Sequence, residues 1–192
     1  MEKSAQIIRK LTLAPVLALL MLVPLWFLRP AVFQTGEFFL YTLLFLVAFP
    51  LLAYPLQRYM PGFREKGREG QRHLAMLFAF AGYLLECVLN VLCHATAQLK
   101  MIGWVYFLSG VAVLLFNRLC RLRASGHAAG AAAACCIPIA LGFHWMVIPG
   151  GILLVIIGWA SLRTGRHTLP QFLGGALIPI CITPVLCALL RF

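Results

Sequence analysis

Two short segments place a histidine among arginines, and these residue types suit phosphate chemistry. Residues 123–127 read Arg-Ala-Ser-Gly-His and residues 163–167 read Arg-Thr-Gly-Arg-His. Histidine titrates near neutral pH, so His127 and His167 are candidates for a nucleophile and a general acid or base. Arginine binds phosphate oxygens through a planar fork of N–H donors. The pair of segments therefore predicts a site that transfers or binds a phosphoryl group.

The rest of the chain predicts helices that would hold these segments at a membrane surface. Of the 192 residues, 62% are hydrophobic and only 11% are charged, which leaves too little polar surface for a soluble domain. Apolar runs of spanning length predict an all-α, polytopic transmembrane helix bundle of six or seven spans. The seven runs lie at 11–29, 36–57, 73–94, 101–117, 124–143, 146–162 and 168–190.

The bundle is predicted to be a single domain over residues 1–192. No polar linker is long enough to separate two folded units. The first apolar run is too long for a removed signal peptide and lacks a small-residue cleavage site. The boundary at 142–145 is tight, so six spans remain an alternative to seven.

The basic residues are predicted to share one face of the membrane. With seven spans, all but three of the 16 Lys and Arg emerge on the side of the amino terminus. The exceptions are Arg29, Lys100 and Arg191. The positive-inside rule then places the basic face in the cytoplasm, with the protein in a bacterial inner membrane. The same arginines could serve only as topology signals and contacts to anionic lipids.

The fifth run begins in a manner that suits an anion. The first N–H groups of a helix lack partners within the helix, so Ser125, Gly126 and His127 could present them to a phosphate. An alanine-rich stretch follows at 128–134, and the last run contains a second small-residue stretch at 174–176. Helices with small faces pack closely in membranes, and such packing would bring His127 and His167 together.

The order of these motifs resembles the type 2 phosphatidic acid phosphatase superfamily. Its second motif is Pro-Ser-Gly-His and its third is Ser-Arg-(x)5-His-(x)3-Asp. The resemblance covers about residues 60–190 and is closest to short bacterial membrane members. These carry an Arg-x-x-Arg cluster before one span, Lys-x-Ser-x-His before another and His-Thr-x-x-Gln at the last. The corresponding segments here are 68–72, 123–127 and 167–171.

The chain departs from the wider family at several motif positions. Ala124 replaces the proline of the second motif, and residues 160–161, Ala-Ser, replace Ser-Arg of the third. The first motif, Lys-(x)6-Arg-Pro, is absent as written, and its nearest substitutes are Arg68 and Arg72. Gln171 occupies the position of the orienting aspartate, and the chain contains no aspartate. Gln171 can orient the ring but cannot offset its charge, which predicts slow or absent turnover.

The resemblance implies a metal-independent hydrolysis of a lipid phosphate through a phosphohistidine. His167 would be the nucleophile and His127 the general acid and base. The phosphate would be bound by residues that precede or open the spans: Arg123, Ser125, Gly126, Arg163, Arg166, Arg68 and Arg72. Phosphatidic acid, phosphatidylglycerophosphate or a polyprenyl phosphate would be the substrate. We expect anionic lipids as partners, and no metal, cofactor, nucleic acid or obligate protein partner.

Gln171 also has a structural interpretation. The sequence Thr-Leu-Pro-Gln at 168–171 fits a capping box, with Thr168 as N-cap and Gln171 at the third helical position. The two roles of Gln171 are compatible, because a residue four positions after His167 can cap the helix and still lie near the ring.

Two other functions remain open on the sequence. A non-catalytic binder or flippase of anionic lipids would need the arginines but neither histidine. A small transporter would use Glu86, which shares a helical face with Asn90 and His94 in the third run. Alternatively, Glu86 faces the bundle and bonds to His94 or to a neighbouring helix.

Overall fold

The computed structural model describes residues 2–119 and 123–191, which form helices joined by short turns. The α-helices are α1 (Glu2–Leu11), α2 (Ala14–Leu28), α3 (Gly36–Leu43), α4 (Phe49–Leu56), α5 (Pro61–Arg64), α6 (Gly67–Leu92), α7 (Ala97–Leu119), α8 (Gly126–Ala140), α9 (Val147–Arg163) and α10 (Leu169–Leu190). The described ranges contain no strand, so the all-α prediction is confirmed. Arg121 lies outside these ranges.

All seven predicted apolar runs form helices, but fewer than seven are long enough to cross a membrane. Within the described ranges, five helical segments have the length and apolar composition of a span: Gly36–Tyr59, Gly67–Leu92, Ala97–Leu119, His144–Arg163 and Leu169–Leu190. A sixth results if α1 and α2, which are bent by 53°, count as one span. Helix α8 has 15 residues and a length of about 22 Å, below the roughly 30 Å of a bilayer core. By length, the structure supports the lower of the two predicted counts, six, when the bent pair is taken as one span.

The tight boundary between the fifth and sixth runs is a true turn. Helix α8 ends at Ala140, and Gly142 adopts φ 97°, a conformation that glycine tolerates best. The chain reverses there and enters α9, so α8 and α9 are separate helices.

Helix α3 continues into α4 through one turn of π-helix, Leu44–Ala48. Pro50 lies two residues after this turn. Proline cannot donate a backbone hydrogen bond, and its ring crowds the carbonyl group four residues earlier. The wider π turn relieves that crowding and lets the span continue to Tyr59.

Helix α8 occupies the centre of the bundle and packs against α2, α7, α9 and α10. Its alanines are almost completely buried, and their small side chains let other helices approach. A Cβ atom at Gly175 of α10 would overlap the carbonyl oxygen of Ser125, and one at Gly130 of α8 would overlap Ala14 of α2. The predicted close packing of the small faces of α8 and α10 is confirmed.

A buried polar cluster joins α3 to α6 deep in the bundle. The Asn90 amide donates to Glu86 Oε1 at 3.2 Å, and the Tyr41 hydroxyl donates to Asn90 Oδ1 at 2.6 Å. Thr42 Oγ1 lies 3.0 Å from Glu86 Oε1 and 2.8 Å from the Phe38 carbonyl oxygen. Glu86 and Asn90 are fully buried, whereas His94 is exposed. Glu86 thus faces a neighbouring helix and not His94.

Candidate functional site

The two histidines lie at the same end of the bundle. His127 is the second residue of α8, and His167 lies in the turn between α9 and α10. The backbone N–H of Ser125 donates to the carbonyl of Gln171 at 3.0 Å, which ties the start of α8 to the first turn of α10. The rings are close enough for His167 to lower the pKa of His127. The fold thus brings together the two segments singled out in the sequence.

His127 is held by Thr12, the residue between α1 and α2. Thr12 Oγ1 lies 3.2 Å from His127 Nε2 and 2.8 Å from the carbonyl oxygen of Ile8. The hydroxyl has one hydrogen, and the shorter contact to Ile8 takes it. Nε2 must therefore carry a hydrogen and donate to Thr12, which leaves Nδ1 as the basic nitrogen of the neutral ring.

The environment of His127 favours the neutral ring. Burial, then the positive charge of Arg9, then His167 lower the pKa of His127 to about 4. Since the charged form has lost water and gained cationic neighbours, a proton is bound only weakly. At neutral pH His127 is uncharged until an anion arrives.

His167 is half-buried, and its environment also favours the neutral ring. Burial is the largest influence and lowers the pKa of His167. The Gln171 side chain and the backbone of Arg123 favour the protonated ring, whereas Arg72 and Arg9 oppose it. Nδ1 of His167 is buried and has no hydrogen-bond partner among the described residues. A neutral imidazole has a nitrogen lone pair that can act as a nucleophile.

Arginines from three parts of the chain surround the histidines. Arg72 on α6 and Arg166 in the turn before α10 interact electrostatically with Arg9 on α1. Arg9 Nη1 donates to Thr164 Oγ1 at 3.5 Å, while its buried Nε has no partner among the described residues. Every charged side chain that shifts the pKa of either histidine is an arginine or the other histidine. A site with this excess of positive charge attracts anions.

All five predicted phosphate-binding arginines have exposed side chains: Arg68, Arg72, Arg123, Arg163 and Arg166. Arg123 contacts the His167 ring through its backbone, with its side chain in solvent. Arg68 and Arg163 are also exposed, and neither is among the groups that shift the histidine pKa values. Arg72 acts electrostatically on His167 and on Arg9, whereas Arg166 acts on Arg9 alone.

The start of α8 is partly occupied by its own cap. Ser125 is fully buried, and its hydroxyl accepts from the N–H of Ala128 at 3.2 Å, so this oxygen stabilises the helix. Ala129 donates to the Ser125 carbonyl. The N–H groups of Gly126 and His127 come earlier in the helix and take no part in these two bonds. The space beside Gly126 is open, which would let a ligand approach its backbone.

Gln171 has the predicted capping role and also lies beside His167. Thr168 and Gln171 form a capping box at the start of α10, and the N–H of Thr168 donates to Gln171 Oε1 at 3.2 Å. The same side chain raises the pKa of His167. One amide thus caps the helix and acts on the ring, as the four-residue spacing allows.

Sequence reasoning missed Arg9 and Thr12 as site residues. Arg9 carries the same charge as Lys10, and in the sequence it is one of the many basic residues on the predicted basic face. The one indication in the sequence is their spacing: Arg9 and Thr12 are three residues apart, which places them on the same face of a helix. Only the packing of α1 on α9 shows that this face meets the histidines.

No family model, characterised protein or solved structure matches this chain. The fold and composition define an integral membrane protein of the all-α class, and its helices are long and apolar enough to span a bilayer. Within the described ranges, no group of three or more His, Cys, Asp or Glu residues is arranged to hold a metal ion.

Proposed function

We propose that the protein is a membrane-embedded lipid phosphate phosphatase. The observation that carries the proposal is the pairing of His127 with His167 at one end of an apolar bundle, surrounded by arginines. A phosphate on a lipid head group would reach this end while the lipid tail stays in the bilayer. Phosphatidic acid, phosphatidylglycerophosphate and polyprenyl phosphates have this chemistry. The excess of Lys and Arg supports a cytoplasmic site in a bacterial inner membrane.

The proposed reaction begins at His167, the role that the resemblance implies. A neutral ring nitrogen of His167 attacks phosphorus in line, forming an N–P bond as the P–O bond to the lipid breaks. His127 donates a proton to the leaving alkoxide. His127 then takes a proton from water, whose oxygen attacks phosphorus and breaks the N–P bond. Inorganic phosphate leaves and His167 is regenerated.

The depressed pKa of His127 has a specific place in this scheme. The free protein holds His127 neutral, yet the first step needs it protonated. A phosphate dianion among the arginines would raise the pKa of His127, because an opposite charge favours the protonated ring. Substrate binding would therefore be accompanied by uptake of a proton. Arg9, Arg72 and Arg166 would stabilise charge on the phosphoryl oxygens.

The decisive experiment measures phosphate release by detergent-purified protein from a panel of lipid phosphates, without added metal. His127→Ala and His167→Ala are each expected to abolish release. His144→Ala is the matched control, since His144 is exposed at the opposite end of the bundle. Release that survives either site substitution would refute the two-histidine mechanism.

A second candidate function, an anionic-lipid binder or flippase, is favoured by Gln171. Its amide replaces the family's carboxylate, and its oxygen is used by the helix cap. Such a protein would bind phosphatidic acid equally well after both histidines are replaced. The transport function would be built on Glu86, whose Oε1 lies within hydrogen-bond distance of Thr42 and Asn90 and whose buried Oε2 has no hydrogen-bond partner among the described residues. Glu86→Gln would abolish transport but leave phosphate release in place.

A further inference from the structure

Helix α1 turns away from α2 at the basic end of the bundle. The two helices are bent by 53°, and the break between them contains Thr12, which contacts His127. Three of the ten residues of α1 are basic and one is acidic. Because charged side chains are costly in the hydrocarbon core, α1 lies at the depth of the lipid head groups. It therefore crosses the end of the bundle that holds the two histidines.

One side of α1 faces the protein. Ala5 on this side is completely buried, and Arg9 reaches Thr164 beside the histidine site. Ala5, Arg9 and Thr12 follow one another at intervals of four and three residues, the spacing of one helical face. This inward side packs on α9 through small and polar side chains.

The opposite side of α1 is exposed and combines apolar with basic residues. Ile7 and Leu11 lie one turn apart and are 56% and 63% exposed. Lys3 and Lys10 are exposed as well. At 3.6 residues per turn, both lysines project about 40–60° to one side of Ile7. Apolar residues beside a row of lysines are typical of helices that lie in a membrane interface.

The contacts that hold α1 on the protein are few. Among the side chains that the structure describes, those of α1 make one hydrogen bond to the rest of the protein, from Arg9 Nη1 to Thr164 Oγ1 at 3.5 Å. Arg72 and Arg166 repel Arg9 and so oppose this packing. A ten-residue helix is not stable alone in water. Contacts on the outward side must therefore contribute to keeping α1 folded against the site.

We propose that the outward side of α1 docks on a membrane surface rich in anionic lipids, and that this docking keeps Thr12 in contact with His127. Lys3 and Lys10 would bind the negatively charged head groups, while the apolar pair beside them enters the boundary of the acyl chains. A zwitterionic surface would engage only the apolar pair. The docking stands without the proposed function, whereas its effect on catalysis rests on that function.

Hydrogen–deuterium exchange of the full chain in lipid nanodiscs tests the docking without turnover. We expect the amide groups of residues 3–11 to exchange about thirtyfold more slowly in phosphatidylglycerol than in phosphatidylcholine. This factor corresponds to about 2 kcal/mol, from about 1 kcal/mol for each of two lysines at an anionic surface. Raising the ionic strength from about 0.1 to 1 M should remove most of the difference, because the Debye length falls from about 10 to 3 Å.

Two double variants show whether the lysines of α1 are responsible. Lys3→Gln together with Lys10→Gln should abolish the difference between the two lipids. Both lysines are replaced because a single remaining lysine still favours docking. Arg64→Gln together with Lys66→Gln is the matched control, since it removes two exposed charges just before α6, outside α1, and it should keep the full difference. Equal exchange of wild-type α1 in the two lipids, or equal losses in both double variants, would overturn the docking.

Phosphate release from a short-chain, water-soluble phosphate ester tests the effect on catalysis. We expect kcat of the wild type to rise with the fraction of phosphatidylglycerol, and the variant without Lys3 and Lys10 to lose this rise. Thr12→Val should also lose the rise, while exchange of α1 still depends on lipid charge. Lipid-dependent exchange without any release would support the docking and refute the hydrolytic function. Release that does not change with lipid charge would refute the effect on catalysis and leave the hydrolytic function in place.

Discussion

The hydroxyl of Thr12 lies 3.2 Å from Nε2 of His127 and links the junction of α1 and α2 to the first turn of α8. Because Thr12 also donates to Ile8, the contact selects one tautomer of the neutral histidine. The amino-terminal helix is thereby part of the site, although no motif in its sequence indicates chemistry.

Replacing Thr12 tests whether this contact orients His127. Thr12→Val keeps the shape but removes the oxygen, and we expect phosphate release to fall about tenfold, the lower end of the effect of losing a ring-orienting partner. Thr12→Ser keeps the oxygen and should retain activity. Equal activity of the valine and wild-type proteins would show that the contact does not orient the ring.

Arg9 is expected to bind phosphate more strongly than its exposed neighbour Lys10. Arg9→Gln should weaken inhibition by inorganic phosphate about tenfold, since a hydrogen bond to a charged group contributes about 1.5–3 kcal/mol. Lys10→Gln removes the same charge from the same helix and should change inhibition little. The thermal midpoint of Arg9→Gln should stay level or rise, because repulsion from Arg72 and Arg166 is relieved. Equal effects of the two substitutions on inhibition would mean that Arg9 acts only through the general positive charge of this surface.

Stability should fall as pH drops from about 6.5 toward 4. The pKa of His127 is about 4 in the folded protein and about 6.5 when unfolded. Between these values the unfolded chain binds the proton and the folded protein does not, so acid favours unfolding by about 1–3 kcal/mol. The stabilisation is fully present above pH 6.5. Thermal unfolding of wild type and His127→Gln at several pH values measures it.

His127→Gln should flatten this pH dependence without removing it. The pKa of His167 is also lowered, so His167 contributes a residual slope of the same sign. An identical slope in wild type and variant would mean that His127 is not held neutral by the fold.

Gly175 and Gly174 offer a matched test of the contact between α8 and α10. A Cβ atom at Gly175 would overlap the backbone of Ser125, whereas one at Gly174 meets open space. Gly175→Ala should cost about 1–3 kcal/mol of stability through overpacking and reduce activity by separating the histidines. Gly174→Ala should be neutral or stabilising. Thermal unfolding in detergent would contradict the packing if the two variants behaved alike.

Restoring a carboxylate at position 171 should increase turnover. Gln171→Asp places a negative charge near His167, which stabilises the positive charge that develops on the ring during attack. Gln171→Asn has the same length without the charge and is the control. We expect faster phosphate release only in the aspartate variant. Unchanged release at an unchanged thermal midpoint would leave Gln171 with its capping role alone.

The helices and the meeting of the two histidines could be predicted because local sequence determines them. Uninterrupted apolar runs specify helices in lipid, where backbone groups must bond within the segment. The small residues at 128–134 and 174–176 indicated close packing of α8 with α10, and that packing carries His127 and His167 with it. The capping box at Thr168 is equally local.

The features that could not be predicted depend on tertiary packing. Arg9 and Thr12 enter the site only because α1 packs across α9. The sequence could not decide between six and seven spans, because a run of alanines has the composition of a membrane span even where, as in α8, the helix is short and buried among others.

The buried cluster around Glu86 constrains the order in which the bundle assembles. Tyr41 and Thr42 are translated well before Glu86 and Asn90, so hydrogen-bond partners from α3 are already in the membrane when α6 emerges. Pairing of α6 with α3 shields the Glu86 carboxyl group from lipid. The pairing also holds α6 in the membrane, although its acidic residue opposes insertion.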